Sequence, residues 1–464
     1  MSVGVVWFME KAHRWAQDTF GDADLGDGRR VRRLVELAAG VCRRPGGRVT
    51  HVFQDSAARE GAFRLLENAA VNAQEVAQAS HRSTARRCSE ESMVFVPVDQ
   101  TSLSFSDRTG TKFGPTGNKN EIHRGMYVMN ALAVDSQGTT LGLLAQEYWV
   151  RPEARCPKWK QDRRPAHERE SCLWRRALCS ATKAMNAEAP ACTPWYQLDR
   201  GADFGDVLCL AHEHSLLLTV RSAHNRALEG RSKGYLRPRM KAQPILGHMF
   251  VDVPAQHGRS KRTAKLNLRA RRLRFRVAEP GKQRRSVWVE MCAVLVTEPG
   301  KRDGIEWMLW TSYPVECFED AVRVAQGYTM RWRIEEFHRA WKSSHCKIES
   351  SQLRSVDAMR RWGAITAAVA ARAEHLKLRS RAEPDAPADS EISRDEIDAA
   401  ILLSETKKHK VGDPMTLQQV VSLIAQVGGY IGKSSGGPPG TITLSRGLER
   451  VEVAAHVLAR MRSG

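Results

Sequence analysis

Apolar and polar positions along the chain fall into three successive patterns. Up to about residue 85, apolar positions recur at helical spacing, as in Leu34, Val35, Ala38 and Val41. From Met93 onward, short apolar runs typical of buried strands alternate with helical stretches, which predicts an α/β unit. Residues 394–464 return to a helical pattern, broken by a Gly-, Ser- and Pro-rich segment at 432–440.

The middle region supplies most of the predicted strands. Its buried strands are predicted at 94–98, 126–134, 139–150, 195–198 and 216–220, and a helix is predicted at 173–185. Pro97 interrupts the first run, so we expect it near the end of its strand or beside a bulge. Arg-, Lys- and Pro-rich residues 151–170 are predicted to form a loop.

A second β-rich stretch follows, from about 222 to 310. Residues 273–277 and 287–290 alternate apolar and polar positions, which is typical of half-exposed strands, and the outward positions are mostly basic. Residues 321–377 are helical in pattern, and 380–393, with two prolines, is a candidate linker. We therefore predict a helical domain at 1–85, an α/β core at 86–379 with a β-rich insertion, and a helical domain at 394–464.

Composition narrows the class of partner. The 464 residues include 72 Lys and Arg against 52 Asp and Glu, a net charge of +20. Such an excess favours an anionic polymer, because each cation placed on a phosphate releases a condensed counterion. No apolar run approaches a membrane span or the core of a signal peptide, and the 10 cysteines show no metal-binding spacing. These features predict a cytoplasmic protein that binds nucleic acid; a basic ribosomal or membrane-surface protein is a more distant alternative.

The most informative segment is a predicted helix over 328–342. At about 100° per residue, Met330, Ile334, Phe337 and Trp341 form a core stripe. A separate stripe carries a phenol, a guanidinium, a carboxylate and an ammonium, on Tyr328, Arg331, Glu335 and Lys342. A carboxylate can ligate a metal while the other three groups hold phosphates. The plainer interpretation is a solvated helix with an Arg331–Glu335 pair.

Two aspartates follow predicted strands. Asp99 comes directly after the apolar run at 94–98, and Asp199 comes after 195–198. Each alone is more typical of a turn or a helix cap. With Glu335 they make three carboxylates at the edges of core elements, a set able to bridge two Mg²⁺ ions for in-line phosphoryl transfer. Hard cations prefer such oxygen ligands.

These motifs together resemble the insertion-sequence-four family of DDE transposases, which includes the transposase of the bacterial transposon Tn-five. The helix has the family's spacing of Tyr328, Arg331, Glu335 and Lys342, and the strings beginning at Asp99, Asp199 and Gly142 are also similar. So is the N-terminal string 25–30, which contains Arg29 and Arg30, with Glu60-Gly61-Ala62-Phe63-Arg64 after it. Gln100, Pro97 and the tail after Gly432 depart from the family pattern.

The resemblance implies a ribonuclease H-like core with a β-rich insertion, Mg²⁺ (or Mn²⁺) held by Asp99, Asp199 and Glu335, and cut-and-paste transposition through a DNA hairpin. It implies N-terminal recognition of transposon ends, a C-terminal homodimer interface, and double-stranded DNA, at transposon ends and target, as partner. It implies DNA contacts from Tyr328, Arg331, Lys342, Arg221, Arg29 and Arg30, and stacking of Trp307 on a flipped base, with Trp310 as a rival.

Two other functions remain compatible with the sequence. One is a catalytically silent DNA-binding relative of a transposase. The other is a ribonuclease H-like nuclease that cuts DNA without joining it to a target. The three acidic residues argue against the first, and the basic insertion with the long helical C-terminus argues against the second.

Overall fold

The computed structural model describes most of the chain. The described residues are 11–107, 110–117, 123–152, 168–229, 234–253, 262–278, 285–301, 303–432 and 437–463. Most of the loop predicted at 151–170, and the first ten residues, therefore lie outside this description.

The N-terminal region is helical, as the pattern predicts. Its helices are α1 (Lys11–Phe20), α2 (Gly28–Arg43), α3 (Val49–Val52), α4 (Ser56–Glu67) and α5 (Ala73–Cys88). Three begin at a polar side chain that accepts a backbone N–H of the first turn: Asp27 from Arg29, Asp55 from Ala58 and Asn72 from Gln74. These caps mark where the helices start in a stretch otherwise rich in turn residues.

A ten-stranded mixed sheet forms the centre of the protein. Its strands are β1 (Met93–Ser104), β2 (Gly114–Thr116), β3 (His123–Val134), β4 (Thr140–Trp149), β5 (Thr193–Leu198), β6 (Leu217–Arg221), β7 (Gly247–Val253), β8 (Arg262–Ala278), β9 (Ser286–Thr297) and β10 (Glu306–Thr311). Their order is β2-β3-β1-β5-β6-β10-β9-β8-β7, and β4 pairs with β3. Only β1–β5 and β5–β6 are parallel pairs; the other pairs are antiparallel.

The predicted β-rich insertion is present, and it continues the central sheet. Strand β10 pairs with β6 of the core, and β9, β8 and β7 follow outward from β10. Along β8 the exposed positions include Arg272, Arg274 and Arg276, alternating with buried Leu273 and Phe275. The predicted basic outer face is therefore confirmed for β8 but not for 287–290 of β9, where the outward residues are Trp288 and Glu290. A mixed sheet between helical ends is compatible with a ribonuclease H-like core.

Strand β1 differs from its prediction. It extends from Met93 through Asp99 to Ser104, so Asp99 lies within a strand rather than after its end. Pro97 lies in mid-strand, paired with Gln197 of β5, while the ladder to β3 is interrupted between Phe95 and Val98. The missing Pro97 N–H accounts for a break there, and the pairing resumes beyond it without a change of register.

Helices cover both faces of the sheet and its flanks. They are α6 (Cys172–Glu188), α7 (Gly205–Glu213), α8 (Leu236–Lys241), α9 (Phe318–Thr329), α10 (Trp332–Arg339), α11 (Val356–Ala382), α12 (Arg394–Ser404), α13 (Leu417–Val427) and α14 (Thr441–Ser463). The predicted single helix over 328–342 is wrong in detail. It is split into the end of α9, a turn at Met330 and Arg331, α10, and a π-helical turn at Ala340–Ser344.

The interior is divided between the two faces of the sheet. Phe95, Trp195 and the apolar residues Ile334, Phe337 and Trp341 lie in one core, which continues into the N-terminal helices. Val96, Tyr196 and Trp310 lie in the core on the opposite face, beneath α6 and α7. Successive residues of a strand point to opposite faces, so this division follows from the strand pattern.

The long helix α11 holds the N-terminal region against the sheet. Arg361 is buried and donates to the carbonyls of Val71 (2.7 Å) and Leu66 (2.6 Å), and the Trp362 indole N–H donates to the carbonyl of Gly47 (2.8 Å). These hydrogen bonds avoid the free-energy cost of burying carbonyl groups without a partner.

The C-terminal helices form a core of their own. Helices α12, α13 and α14 pack around residues such as Ile397, Leu417 and Val451. The candidate linker 380–393 is packed rather than extended: Ala388 is buried, and its N–H donates to the carbonyl of Met415 (3.0 Å). No helix among the described residues is long and apolar enough to cross a membrane.

Candidate metal and DNA site

The two predicted aspartates lie side by side at one edge of the sheet. The parallel pairing of β1 with β5 ends at Val98 opposite Leu198, so Asp99 and Asp199 are the next residues on the two neighbouring chains. By the two-residue period they share the face of Phe95 and Trp195, the face that carries α9 and α10. Asp99 accepts the N–H of Gln100 (2.9 Å), and Asp199 accepts that of Gly201 (2.8 Å).

Glu335 approaches this edge from α10, and Arg331 lies between the acids. One guanidinium nitrogen, Nη1, is 3.5 Å from Asp99 Oδ2 and 3.3 Å from Glu335 Oε1. A single cationic group therefore bridges a carboxylate of the sheet and a carboxylate of the helix. The Arg331–Glu335 pair expected for a solvated helix is present, but it belongs to a three-residue cluster, and the Arg331 side chain is only 16% exposed.

Charge is concentrated around Asp99. Burial, reinforced by the nearby carboxylates of Asp199 and Glu335 and opposed by Arg331, raises the pKa of Asp99 to about 7. Like charges that cannot move apart favour either a proton or a cation between them. The carboxylate of Asp199 therefore raises the pKa of Asp99, as expected from their neighbouring positions in the register of β1 and β5.

An imidazole completes the cluster. One ligand atom each from Asp99, Glu335 and His338 lie within 4.8 Å of one another, and Asp199 is not part of this closest group. Burial, aided by the positive charges of Lys342 and Arg331, lowers the pKa of His338 to about 3, so the ring is neutral at physiological pH. Two carboxylates and a neutral imidazole are a donor set that suits a divalent cation.

His338 was missed in the sequence, although a signal was present. It lies three residues after Glu335, and side chains at i and i+3 are neighbours on a helix. A Glu followed at that spacing by His is a recurrent arrangement in metal sites built on helices.

Tyr328 and Arg221 lie next to the acidic cluster. Burial raises the pKa of Tyr328, against the opposing charges of Arg331 and Arg221. Arg221 ends β6 and donates to the carbonyl of Glu306 (3.0 Å). Tyr328, Arg331 and Arg221 thus form a cationic and phenolic rim beside the carboxylates.

The two tryptophans of β10 have different environments. Trp307 is partly exposed and meets Tyr328 edge to face, with ring centroids 5.4 Å apart. Trp310 is fully buried in the opposite core, with its ring 4.2 Å from that of Phe275. Only Trp307 therefore lies on the side of the site, and Trp310 is a core residue.

The remaining residues predicted to contact DNA lie farther from the acidic cluster. Lys342, in the π-helical turn, is 3.6 Å from Glu349 and is not paired with the site carboxylates. In the N-terminal region the Arg29 side chain is 83% exposed and paired with Asp27. Arg30 instead donates to the carbonyls of Leu25 (2.8 Å) and Ala70 (3.3 Å), so its guanidinium holds the fold of its own domain.

Comparison with known protein families adds one finding. Residues 12–71, which include Arg29 and Arg30, match the family described as transposase DNA-binding. The matched segment comprises helices α1 to α4 and the connections between them. This match supports a DNA-binding transposase, with DNA as its partner.

Proposed function

We propose that the protein is a metal-dependent DDE transposase of the insertion-sequence-four type, acting by a cut-and-paste route. The observation that supports this most is the convergence of Asp99, Asp199 and Glu335 from two adjacent strands and a helix. Its context is a chain whose N-terminal residues match a transposase DNA-binding family. A catalytic centre and a DNA-binding region in one chain are what transposition requires.

The carboxylates of Asp99, Asp199 and Glu335 would hold Mg²⁺, with Mn²⁺ able to substitute. When bound, such ions activate an attacking oxygen and stabilise the leaving oxygen of an in-line displacement. Arg331 and Tyr328 would bind phosphate oxygens beside the cleaved bond, with Arg221 and Lys342 at the margins. Arg331 is suited to this role because its planar group can bind two oxygens at once.

The remaining parts of the reaction are assigned by their position. Trp307 would stack on a base flipped out of the hairpin, next to Tyr328. The N-terminal helices, with Arg29 exposed, would bind the transposon ends, and the C-terminal helices would form a homodimer. The central sheet with its basic insertion would be a ribonuclease H-like core that holds the DNA.

A cleavage and joining assay tests this proposal. Duplex DNA carrying the short inverted repeats that flank the gene is incubated with Mg²⁺ and with the full-length protein, Asp99→Asn or Glu335→Gln. We expect both variants to bind the duplex but to lose cleavage. Glu319→Gln, an exposed acid on the preceding helix, is the matched control and should cleave normally.

Each alternative has its own outcome in this assay. Binding without cleavage by the unaltered protein would indicate a silent DNA-binding relative. Cleavage that releases free ends but no joined product would indicate a nuclease. Cleavage undiminished by Asp99→Asn and Glu335→Gln would remove the three carboxylates from the mechanism.

A further inference from the structure

A row of hydrogen-bonded polar side chains leads away from the site across neighbouring strands of the sheet. Asp99 on β1 is paired with Asn130 on β3, and Asn130 is paired with Gln146 on β4. Asn130 Nδ2 is 3.1 Å from His338 Nε2, Gln146 Nε2 is 3.1 Å from Asn130 Oδ1, and the Tyr148 hydroxyl is 2.8 Å from Gln146 Oε1. Buried amides are retained in a core only where their hydrogen bonds are satisfied.

This row of hydrogen-bonded side chains determines which nitrogen of the His338 ring carries the proton. Nε2 is engaged by Asn130, so Nδ1 is the nitrogen left for a cation. Rotating both amides by 180° reverses every bond of the chain, since Asn and Gln can donate or accept at either position. In the reversed direction, Asn130 accepts a hydrogen bond from Nε2–H of His338, which leaves a lone pair on Nδ1.

The end of the chain allows this reversal. A tyrosine hydroxyl can donate to Gln146 in one direction and accept from it in the other. Gln146 and Tyr148 also line a groove of about 600 Å³ between α5, β4 and α6. The row of hydrogen-bonded side chains therefore ends in a polar group on each side and can support either tautomer of His338.

We propose that His338 is a further protein ligand of the metal centre, beside Asp99 and Glu335, and that Asn130 is a positioning residue that sets its tautomer. The inference rests on the proposed function, because it concerns the same centre. Hydrogen bonds to the second nitrogen of a ligating histidine fix its ring and tautomer, and their loss weakens metal affinity by about 10- to 100-fold.

An imidazole in the donor set has a consequence for metal preference. Carboxylates alone suit Mg²⁺, while imidazole improves the fit to later transition metals such as Co²⁺. We therefore expect the full-length protein to bind Mn²⁺ and Co²⁺ more tightly than Mg²⁺, and His338→Ala to reduce that preference. Asp99→Asn should weaken all three.

Pulsed electron paramagnetic resonance of Mn²⁺ bound to the full-length protein provides the test. Protein containing ¹⁵N-histidine should show coupling of Mn²⁺ to one imidazole nitrogen. The coupling should disappear in His338→Ala, with Mn²⁺ affinity reduced at least about 10-fold, and Asn130→Ala should keep Mn²⁺ bound but about 10-fold more weakly. His345→Ala, which alters an equally buried imidazole outside the cluster, is the control and should retain the coupling.

The outcomes separate this inference from the proposed function. Mn²⁺ bound without nitrogen coupling, and released by Asp99→Asn, would overturn His338 as a ligand while leaving the carboxylate centre intact. Failure of the unaltered protein to bind Mn²⁺ would overturn both. Thermal unfolding checks that each variant folds, and His338→Gln replaces the alanine variant if that one does not.

Discussion

At the scale of single residues, Asp99 carries the clearest electrostatic signature. Its raised pKa, about 7, comes from burial and from the adjacent carboxylates. Because this folded-state pKa lies above the ordinary value of 3.8, the folded protein holds a proton on Asp99 that the unfolded chain has released. The contribution of Asp99 to stability is therefore full at low pH and is lost as pH rises from about 4 to about 7.

We predict that Asp99→Asn stabilises the metal-free protein at alkaline pH. A neutral amide keeps the shape of the side chain but removes the buried charge. In urea unfolding with EDTA, the advantage of the variant should grow between about pH 4 and 7, reach about 1 kcal/mol or more, and then level off. An advantage that is independent of pH would show that the effect is not caused by ionisation of Asp99.

The two tryptophans of β10 should respond oppositely to truncation. Trp310→Ala should lower the free energy of unfolding by about 3–5 kcal/mol, because it opens a cavity against Phe275. Trp307→Ala should cost far less stability but lower the yield of the proposed hairpin on end DNA about 10-fold or more, since a stacked base contributes about 1–3 kcal/mol. Urea unfolding and gel analysis of cleavage measure the two effects.

Trp307→Phe is the control for this pair, since it keeps an aromatic ring on the site. It should retain more hairpin than the alanine variant. Equal losses of hairpin in the alanine and phenylalanine variants would argue against stacking by Trp307.

At the scale of secondary-structure elements, the approach of α9 to β1 positions the site helix. Gly327 lies on the ring of Phe95: a Cβ added there would be 2.7 Å from Phe95 Cε1. Tyr328 follows directly, and Arg331 and Glu335 lie on the next turns. The close contact therefore sets the depth at which the phenol, guanidinium and carboxylate reach the sheet edge.

Gly327→Ala should separate the helix from the strand. We expect a loss of about 1–3 kcal/mol of unfolding free energy, as for other overpacked sites, together with a large loss of DNA cleavage. For the unfolding measurement, Gly28→Ala is the matched control: it is also a helical glycine, but a Cβ there meets nothing within 4 Å. That variant should gain up to about 1 kcal/mol. Full cleavage by Gly327→Ala would show that the contact does not position the site.

Elements with a strong local period could be predicted from the sequence. The strands at 126–134 and 195–198 and the core stripe of Ile334, Phe337 and Trp341 were recognised, because burial alternates or repeats over several residues. The break at Met330 and Arg331 was not, since both residues have helical backbone angles and no proline or glycine marks the turn. The continuation of the insertion into the core sheet depends on long-range pairing, which no local pattern records.

The site was predictable to the same extent. Asp99 and Asp199 were predicted because each follows an apolar run, and Glu335 because it lies on a polar helix stripe beside the core stripe. The register of β1 with β5 accounts for the proximity of the two aspartates. The spacing of His338 after Glu335 is a local signal, but its proximity to Asp99 and Asn130 depends on the packing of α10 against β1 and β3. Whether a residue near a motif joins a site depends on which strand crosses it, and this is a property of the tertiary fold.

At the scale of the whole molecule, fully buried imidazoles are distributed over several regions. His81 lies in α5, His338 in α10, and His345 follows the π-helical turn, where Nδ1 is 3.0 Å from the Ser445 hydroxyl of α14. Burial lowers the pKa of His81 to about 3, of His338 to about 3 and of His345 to about 4. All three rings are therefore neutral in the folded protein near neutral pH.

These histidines predict acid sensitivity of the fold. Below pH 6.5 each of these rings is protonated in the unfolded chain but stays neutral in the folded protein until about pH 3 or 4. The contribution of the three histidines to stability is therefore full above pH 6.5 and decreases as pH falls. Asp99 acts in the opposite sense over this range and offsets one proton. Two net protons correspond to a loss of about 3 kcal/mol per pH unit at most.

Urea unfolding in EDTA between pH 7 and 5 measures this slope. His81→Gln removes one of the three imidazoles and lies away from the proposed metal site, so the dependence on pH should become weaker by about 1 kcal/mol per pH unit. His212→Gln, an exposed histidine of α7, is the control and should leave the slope unchanged. A free energy of unfolding that stays constant from pH 7 to 5 would mean that the buried rings are protonated together with the unfolded chain, and that burial does not keep them neutral.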